Sequence, residues 1–124
     1  MRYAIEDVPL EMEVGGICTR GVEGGALYLR HIGLPAGVDF TPLFVGLPDD
    51  LCPCPHWGQV LSGAITVRFA DGTQETCSAG DIYYWPAGHT GWTDGGVTFL
   101  ELSPTEQILP VLDHLSRAMA AAPA

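Results

Sequence analysis

The sequence predicts an all-β sandwich or barrel that ends in a single α-helix. Short segments of alternating apolar and polar residues recur at regular spacing over residues 26–102, and only the last twenty or so residues have helical spacing. The composition agrees, because 16 glycines and 10 prolines among 124 residues suit short strands joined by tight turns. We expect one domain of residues 1–124, with an N-terminal arm (1–24), a barrel (25–102) and a C-terminal helix (103–121).

The charge of the chain excludes several classes of partner. Its formal net charge is −10, with only five basic residues, which argues against binding to nucleic acids or to an anionic membrane surface. No run approaches the roughly 20 apolar residues that span a bilayer. The first seven residues also lack the apolar core of a signal peptide. We therefore expect a cytoplasmic protein, whose four cysteines are thiols or metal ligands and not disulfides.

The first regular strand is expected to begin at Ala26. Residues 1–24 look irregular, with at most an edge strand over residues 12–18. From Ala26 on, Leu27, Leu29 and His31 share one face. If the leucines face inward, His31 does too, and we expect it to be a hydrogen-bonded wall residue in preference to a metal ligand. Residues 39–45 are expected to form another short extended segment.

The middle of the chain reads as a series of hairpins. Residues 57–70 predict two strands broken at Gly63, and Asp71-Gly72 is a strong signal for a tight hairpin turn. A polar return strand is expected at residues 73–77. The aromatic strand that follows places Tyr83 and Trp85 on one face, although alternation alone does not say which face points inward.

The C-terminal segment predicts one amphipathic helix. Ser103-Pro104-Thr105-Glu106 matches a capping box with proline at the first helical position. An apolar stripe at helical spacing follows, formed by Ile108, Val111, Leu112, Leu115 and Met119. We expect the helix to lie on the barrel or on a partner subunit.

A candidate ligand segment precedes the central strands. In Cys52-Pro53-Cys54-Pro55-His56, potential metal ligands occupy every second position. Residues two apart in an extended chain point to the same side. Thiolates and imidazoles are ligands that zinc, nickel, copper and iron accept. The spacing therefore predicts a metal or pocket site here.

A family pattern covers most of the barrel. Gly63 closes a strand, and Gly80, Pro86 and Gly88 are spaced as glycine, five residues, proline, one residue, glycine. This spacing resembles the second motif of the cupins, and the chain is similar to the small single-domain, RmlC-like jelly-roll members. The resemblance implies a double-stranded β-helix barrel with an interior pocket, and a homodimer.

The chain departs from the metal motif of that family. The family's paired histidines would stand at Asp49 and Leu51, its glutamate at His56 and its last histidine at Gly91, while His89 lies two residues before that last position. The resemblance therefore does not imply the usual set of three histidines and one glutamate.

A replacement ligand set is available in Cys52, Cys54, His56 and His89. All four would favour zinc in a closed tetrahedral site, and nickel or iron after zinc. Three of them with a water would leave an open site able to act on a carbonyl. The alternative is that the histidines only line a pocket and the cysteines pack as small apolar groups.

Several further side chains are candidates for the pocket wall. Glu101 is either an acid in the pocket, with a raised pKa that suits proton transfer, or a rim residue. The full pocket set is Trp57, Tyr83, Trp85, His31 and Glu101.

Two functions follow from these features. The first is a small-molecule-binding barrel with a divalent metal, acting as a metal-assisted enzyme such as an isomerase, lyase or dioxygenase. The alternative is a ligand-binding or sensing barrel without metal or catalysis. Neither the substrate nor the reaction can be read from the residues.

Overall fold

The protein folds as two antiparallel sheets that share one long strand. The computed structural model describes residues 1–121, and every strand pairing in it is antiparallel. The strands are β1 (Leu10–Val14), β2 (Ile17–Gly24), β3 (Leu27–Leu34), β4 (His56–Phe69), β5 (Gln74–Ser78), β6 (Ile82–Trp85), β7 (His89–Trp92) and β8 (Val97–Pro104), and the helix is α1 (Thr105–Ala121).

The long strand β4 connects the sheets. Its first half joins the larger sheet, in the order β1-β2-β3-β8-β4-β6, and its second half lies between β5 and β7 in the smaller sheet. A core of apolar side chains from both sheets fills the space between them. The predicted all-β fold with one C-terminal helix is confirmed.

Gly63 allows β4 to pass from one sheet to the other. Its φ is +72°, and a Cβ at this position would collide with the carbonyl oxygen of Gly96. A left-handed conformation with no room for a side chain requires glycine. The predicted break at Gly63 is therefore a bend within one strand and not the end of a strand.

The prediction of an irregular arm over residues 1–24 is wrong. Residues 10–24 form the hairpin β1–β2, which turns at Gly15 and Gly16, both with positive φ. Strand β2 then pairs with β3 along its whole length except its first residue. Alternation was hard to recognise here because two inward positions are Thr19 and Gly21, which are not apolar markers.

The predicted inward face of β3 is also wrong. Arg30, Ile32 and Leu34 are buried, whereas Leu27 is exposed and His31 half-buried on the opposite face. Arg30 can point inward because it forms two ion pairs with carboxylates inside the protein, so its charge is compensated.

The loop between β3 and β4 contains no strand over residues 39–45. It forms a 3-10 turn at Thr41–Phe44, with Pro42 near its start and Phe44 buried. Proline fits the first turn of a helix because the N–H group that it lacks would have no acceptor within the helix there. The side chain of Phe44 packs beneath α1.

The remaining hairpin predictions are confirmed. The turn at Asp71-Gly72 joins β4 to β5, and Gly72 has a φ of +87°. In β6, Tyr83 and Trp85 point into the core, while Tyr84 on the other face is exposed.

The predicted capping box at the start of α1 is wrong. Ser103 and Pro104 are the last residues of β8, and the helix begins at Thr105. The backbone N–H of Thr105 donates to Ala26 O at 3.0 Å, and the Ser103 hydroxyl lies 2.7 Å from His56 Nδ1. The Ser103 hydroxyl, which was predicted to cap the helix, is therefore a hydrogen-bond partner of the buried His56 imidazole.

The apolar stripe of α1 packs on the chain's own barrel. Ile108, Val111 and Leu115 are buried and form a cluster with Cys52 and Cys54 among others. Of the helices within residues 1–121, none combines the length and the apolar character needed to cross a membrane.

Candidate metal centre

Three buried side chains from three segments meet at one end of the barrel. His56 begins β4 and His89 begins β7, while Cys52 lies in the loop before β4. Backbone hydrogen bonds attach this loop to β7, from Cys52 N to His89 O and from Gly88 N to Cys52 O, both at 2.8 Å. The barrel therefore fixes Cys52 although it lies outside the strands.

The distances within this group suit a metal ion. One potential donor atom from each of Cys52, His56 and His89 lies within 4.8 Å of the others. Cys52 Sγ and His56 Nε2 are 3.5 Å apart. Zinc bonded to sulfur and nitrogen at a tetrahedral angle separates the two donor atoms by about 3.5 Å. The residues present therefore fit a tetrahedral ion with one sulfur and two nitrogen ligands.

Hydrogen bonds orient both imidazoles. His89 Nδ1 donates to Pro86 O at 2.8 Å, so its Nε2 carries the free lone pair. His56 Nδ1 lies 2.7 Å from Ser103 Oγ and 3.6 Å from a carboxylate oxygen of Glu101, and these neighbours favour a proton on Nδ1. Support of this kind for the second ring nitrogen is common among histidines that bind metals.

Burial determines the protonation of the three groups. It lowers the pKa of His56 to about 3, with the Arg30 charge adding to the effect. It lowers the pKa of His89 to about 4, with His56 adding to the effect. Burial also raises the pKa of the Cys52 thiol to about 12. At neutral pH the imidazoles are neutral and ready to bind a cation, and a metal would have to displace the thiol proton.

A buried network of ion pairs lies next to the His56 imidazole, with Glu101 as the residue in contact with it. Arg30 Nε donates to Glu11 Oε1 and Arg30 Nη1 donates to Glu101 Oε2, each at 3.0 Å. Burial raises the pKa of Glu101, and the Arg30 charge opposes that shift. Arg30 and Glu101 are cross-strand partners in β3 and β8. Of the two placements expected for Glu101, the structure shows the inward one and not the rim.

The group forms part of the wall of a cavity of about 60 Å³ between the sheets and α1. Its polar lining residues are Cys52, His56, His89, Arg30, Glu101 and Thr19. The Thr19 hydroxyl is buried and has no hydrogen-bond partner among the described residues. Its apolar lining residues include Phe40, Phe44, Trp85, Phe99 and Ile108. Such a mixture of apolar walls and a few convergent polar groups is typical of small-molecule sites.

Comparison with known proteins rests on structure. No family model matches the sequence, and a search of curated proteins found no match. The polyketide cyclase RemF from Streptomyces resistomycificus superposes with a TM-score of 0.63 at 18% identity, over 84% of this chain and 78% of that one. Oxalate decarboxylase from Lactobacillus farciminis gives 0.61 at 21% identity, over 82% of this chain. The chain spans about a third of that enzyme, 32% of its length.

A third neighbour of similar size is the putative ethanolamine utilization protein EutQ from Salmonella typhimurium, with a TM-score of 0.55 at 17% identity over 71% of this chain and 68% of that one. These neighbours share one architecture with the two sheets described above. The chain has the cupin fold. The predicted resemblance is confirmed at the level of fold.

Of the four predicted metal ligands, Cys54 does not belong to the group of converging donor atoms. Its thiol lies 3.4 Å from Pro55 O and next to the Ser103 side chain, and it is not part of the donor group formed by Cys52, His56 and His89. Burial raises its pKa to about 12. Pro53 and Pro55 bend the segment, so that strict alternation, on which the prediction depended, does not hold before His56. A closed site of two cysteines and two histidines is therefore not formed.

The predicted pocket residues divide between the two faces of the larger sheet. Trp85 and Glu101 line the cavity. Tyr83 is buried beside Trp85, but its hydroxyl donates to Leu100 O and it does not line the cavity. Trp57 and His31 lie on the outer face and do not line this cavity. Trp57 is 41% exposed, and His31 lines a second cavity on that face.

Two residues of the site were missed in the sequence. Ser103 was interpreted as a helix cap, and Arg30 was not singled out in the sequence. Arg30 did offer a signal, since it alternates with Ile32 and Leu34 along one face. Nothing local marks Ser103, because its partner His56 is 47 residues away in sequence.

Proposed function

We propose that this cupin barrel holds a divalent transition metal with Cys52, His56 and His89 and binds a small molecule beside it. The observation that carries the proposal is the convergence of these three buried donors on the wall of the cavity. Zinc is favoured, followed by nickel or iron, because one sulfur and two nitrogens suit tetrahedral coordination. When bound, such an ion supplies Lewis-acid chemistry to an oxygen of the ligand.

The number of ligands supports an enzyme in preference to a structural metal site. Three protein ligands leave the fourth tetrahedral position open, as catalytic zinc sites do, whereas structural sites are closed by four. Cys54 does not close the site, because its thiol is not among the donor atoms that lie within 4.8 Å of one another. The oxalate decarboxylase of Bacillus subtilis, another structural neighbour, has Mn(II) centres, so a metal in this fold has a precedent in a different protein.

The charges around the cavity favour a ligand with an uncharged polar head. Arg30 is the only basic side chain that lines the cavity in residues 1–121, and it is paired with Glu11 and Glu101. An anionic ligand therefore meets no unpaired protein cation. A carbonyl or hydroxyl group at the polar end, with the apolar part against the aromatic walls, satisfies both halves of the cavity.

The first experiment is elemental analysis of protein purified without added metal. We expect one transition-metal ion per chain in the wild type, and its loss in Cys52→Ala, His56→Ala and His89→Ala. Cys54→Ala is the matched control, since it removes an equally buried thiol two residues away and should retain the metal. Metal-free wild-type protein that also fails to bind added zinc, nickel or iron would overturn the proposal.

A second experiment tests the open position. Cobalt(II)-loaded wild-type protein should change its visible spectrum when azide is added, because a small anion can enter a free coordination site. An unchanged spectrum with cobalt bound would indicate a closed structural site.

A metal-free ligand-binding barrel is the second candidate, and one observation favours it. The 3.5 Å separation of Cys52 Sγ and His56 Nε2 also suits a hydrogen bond from a neutral thiol to an imidazole. All four cysteines are free thiols, which fits the reducing cytoplasm that we propose as the location. In this case the elemental analysis finds no metal, and the three alanine variants fold and bind ligand as the wild type does.

A further inference from the structure

A second cavity lies on the outer face of the larger sheet, beneath the N-terminal segment. Its volume is about 170 Å³, larger than the cavity of about 60 Å³ at the candidate metal centre. Residues before β1 form its cover, and strands β2, β3 and β8 form its floor. The apolar lining residues are Tyr3, Ile5 and Val8 of the cover and Val22, Leu29 and Leu100 of the floor. We call this space the outer cavity.

The cover is anchored next to β1 and accessible to solvent at its other end. Arg20 Nη1 donates to Val8 O at 2.8 Å and to Glu6 O at 3.2 Å, and Val8 is buried. Tyr3 and Ile5 are 41% and 42% exposed. A small molecule can therefore enter beside Tyr3 and Ile5 while the anchored end stays in place.

The size and the walls of the outer cavity suit one ring or a short branched chain. A protein cavity of about 150 Å³ with walls of leucine, isoleucine and phenylalanine accommodates a benzene molecule. The outer cavity has a similar volume and similar walls. Because an apolar group gains free energy when it leaves water for such walls, the apolar part of a ligand belongs here.

Two polar side chains of the sheet stand side by side at the outer cavity. His31 lines the cavity, and Arg20 is its cross-strand partner on β2, so both side chains project from the same face. Burial and the Arg20 charge lower the pKa of His31, so its imidazole is neutral at neutral pH and can donate one hydrogen bond. Arg30 also borders the cavity, but its guanidinium is paired with Glu11 and Glu101 on the inner face.

The guanidinium of Arg20 keeps donors for a ligand. Its two bonds to the cover use the N–H groups of Nη1, which leaves Nε and Nη2 for bidentate binding of a carboxylate. Together with the neutral His31 imidazole, this arrangement supplies one positive charge and one further donor. A carboxylate satisfies both.

The local charge also permits an anion at this position. Arg2 and Arg20 balance Glu6 and Asp7 around the cover, whereas the whole chain has a net charge of −10. The acidic remainder of the surface repels anions and attracts cations. A basic ligand would therefore be drawn to other parts of the surface, while an acid finds its counter-ion here.

We propose that the outer cavity binds a small carboxylic acid with one aromatic ring or a short branched chain. The apolar part of the acid lies against Val22, Leu29 and Leu100, and its carboxylate lies beside Arg20 and His31. The outer cavity and the candidate metal centre are on opposite faces of the larger sheet, so the proposal does not depend on the metal.

The test is calorimetric titration of the full chain with benzoate and with isovalerate, and with benzamide as the uncharged analogue of benzoate. Both acids should bind with dissociation constants of about 1 mM or lower. Benzamide should bind at least about tenfold more weakly than benzoate, because it lacks the charge that Arg20 recognises. Nuclear Overhauser effects between the benzoate ring and the methyl groups of Leu29 and Leu100 should locate the ligand.

Two variants remove the two halves of the site separately. Leu100→Trp fills the cavity and should weaken the binding of both acids by about tenfold or more. Arg20→Gln removes the charge and should weaken the binding of benzoate but not that of benzamide. Arg68→Gln is the matched control, since it removes one positive charge from β4 away from the cavity and should leave the binding of benzoate unchanged. An equal loss for benzoate and benzamide in Arg20→Gln would overturn the assignment of the carboxylate to Arg20.

A further control separates the outer cavity from the candidate metal centre. Cys52→Ala should retain the binding of benzoate. Far-UV circular dichroism checks that each variant is folded, and Leu100→Phe is the milder substitute if the tryptophan variant unfolds. The proposal would be overturned if neither acid bound at millimolar concentration, if Cys52→Ala abolished the binding, or if the folded Leu100 variants left it unchanged.

Discussion

The two faces of the larger sheet reverse the usual distribution of residues. The inner face buries Arg30, Glu101 and His56, all below 10% exposure, while the outer face exposes Trp57 and Tyr84 to solvent. The same strands carry both patterns, since each strand alternates between the faces.

The difference between the faces shows where function constrains this sequence. Burying charge is costly unless it is paired, and exposing large apolar side chains is also unfavourable. Each face departs from the usual distribution of residues, with polar side chains around the inner cavity and large apolar side chains exposed on the outer face. Departures of this kind are expected at functional sites.

Acidification should have the largest effect, because it acts on both buried histidines. Burial lowers the pKa of His56 and His89 to about 3 and about 4, so between about pH 6.5 and pH 4 the unfolded chain binds two protons that the folded chain does not. The free energy of unfolding of metal-free protein should therefore fall with decreasing pH, by up to about 2.7 kcal/mol per pH unit. Glu101, whose pKa is raised, acts in the opposite direction as a single group.

Urea unfolding at a series of pH values measures this slope. His89→Gln removes one of the two groups and should roughly halve the slope, whereas His31→Ala should change it less, because burial and the Arg20 charge also lower the pKa of the half-buried His31. A stability that stays constant from pH 7 to pH 4.5 would show that the imidazoles are not held neutral inside the barrel.

The second-largest effect is expected from breaking the two buried ion pairs of Arg30. Arg30→Ala leaves Glu11 and Glu101 without their shared cation in a buried site, and the free energy of unfolding should fall by about 3–5 kcal/mol. The control is Arg117→Ala, which removes an exposed pair with Asp113 on α1 and should cost less than about 0.5 kcal/mol. Equal effects in the two variants would mean that the inner network contributes no more than a surface pair.

Substitutions of two isoleucines, one on each face of the larger sheet, compare the contribution of the two faces to stability. Ile32 is 3% exposed on the inner face, and Ile32→Ala should cost about 2–5 kcal/mol. Ile82 is 82% exposed on the outer face, so Ile82→Ala should change the free energy of unfolding by less than about 0.5 kcal/mol. An effect of Ile82→Ala as large as that of Ile32→Ala would mean that the outer face is packed within the chain and not exposed.

The sequence was most informative where a turn or a helix has a local cause. The Asp71-Gly72 hairpin, the bend at Gly63 and the apolar stripe of α1 all follow from glycine conformation or from helical spacing, which neighbouring residues determine. The inward or outward direction of a strand is different, because it depends on what the strand packs against. Leu27 and Leu29 suggested the inward face of β3, and the burial of Arg30 depends on Glu101, 71 residues away.

The same distinction applies to the candidate site. Cys52 and His56 were identified from their spacing, and His89 because it lies two residues before the position of the family's last histidine. Cys54 has the same spacing, but its thiol lies outside the group of donor atoms, since no strand fixes the direction of the segment between the two prolines. Sequence reasoning therefore found the ligand types, while the pairing of the loop with β7 selected which thiol joins the group.

The absorption spectrum of cobalt(II)-loaded protein tests the central claim most directly, because only a cobalt–thiolate bond gives an intense near-ultraviolet charge-transfer band. We expect this band in the wild type and in Cys54→Ala with one cobalt per chain, and its loss in Cys52→Ala. A wild type that binds no cobalt, or a Cys52→Ala variant that retains the full band, would contradict a metal centre built from Cys52, His56 and His89.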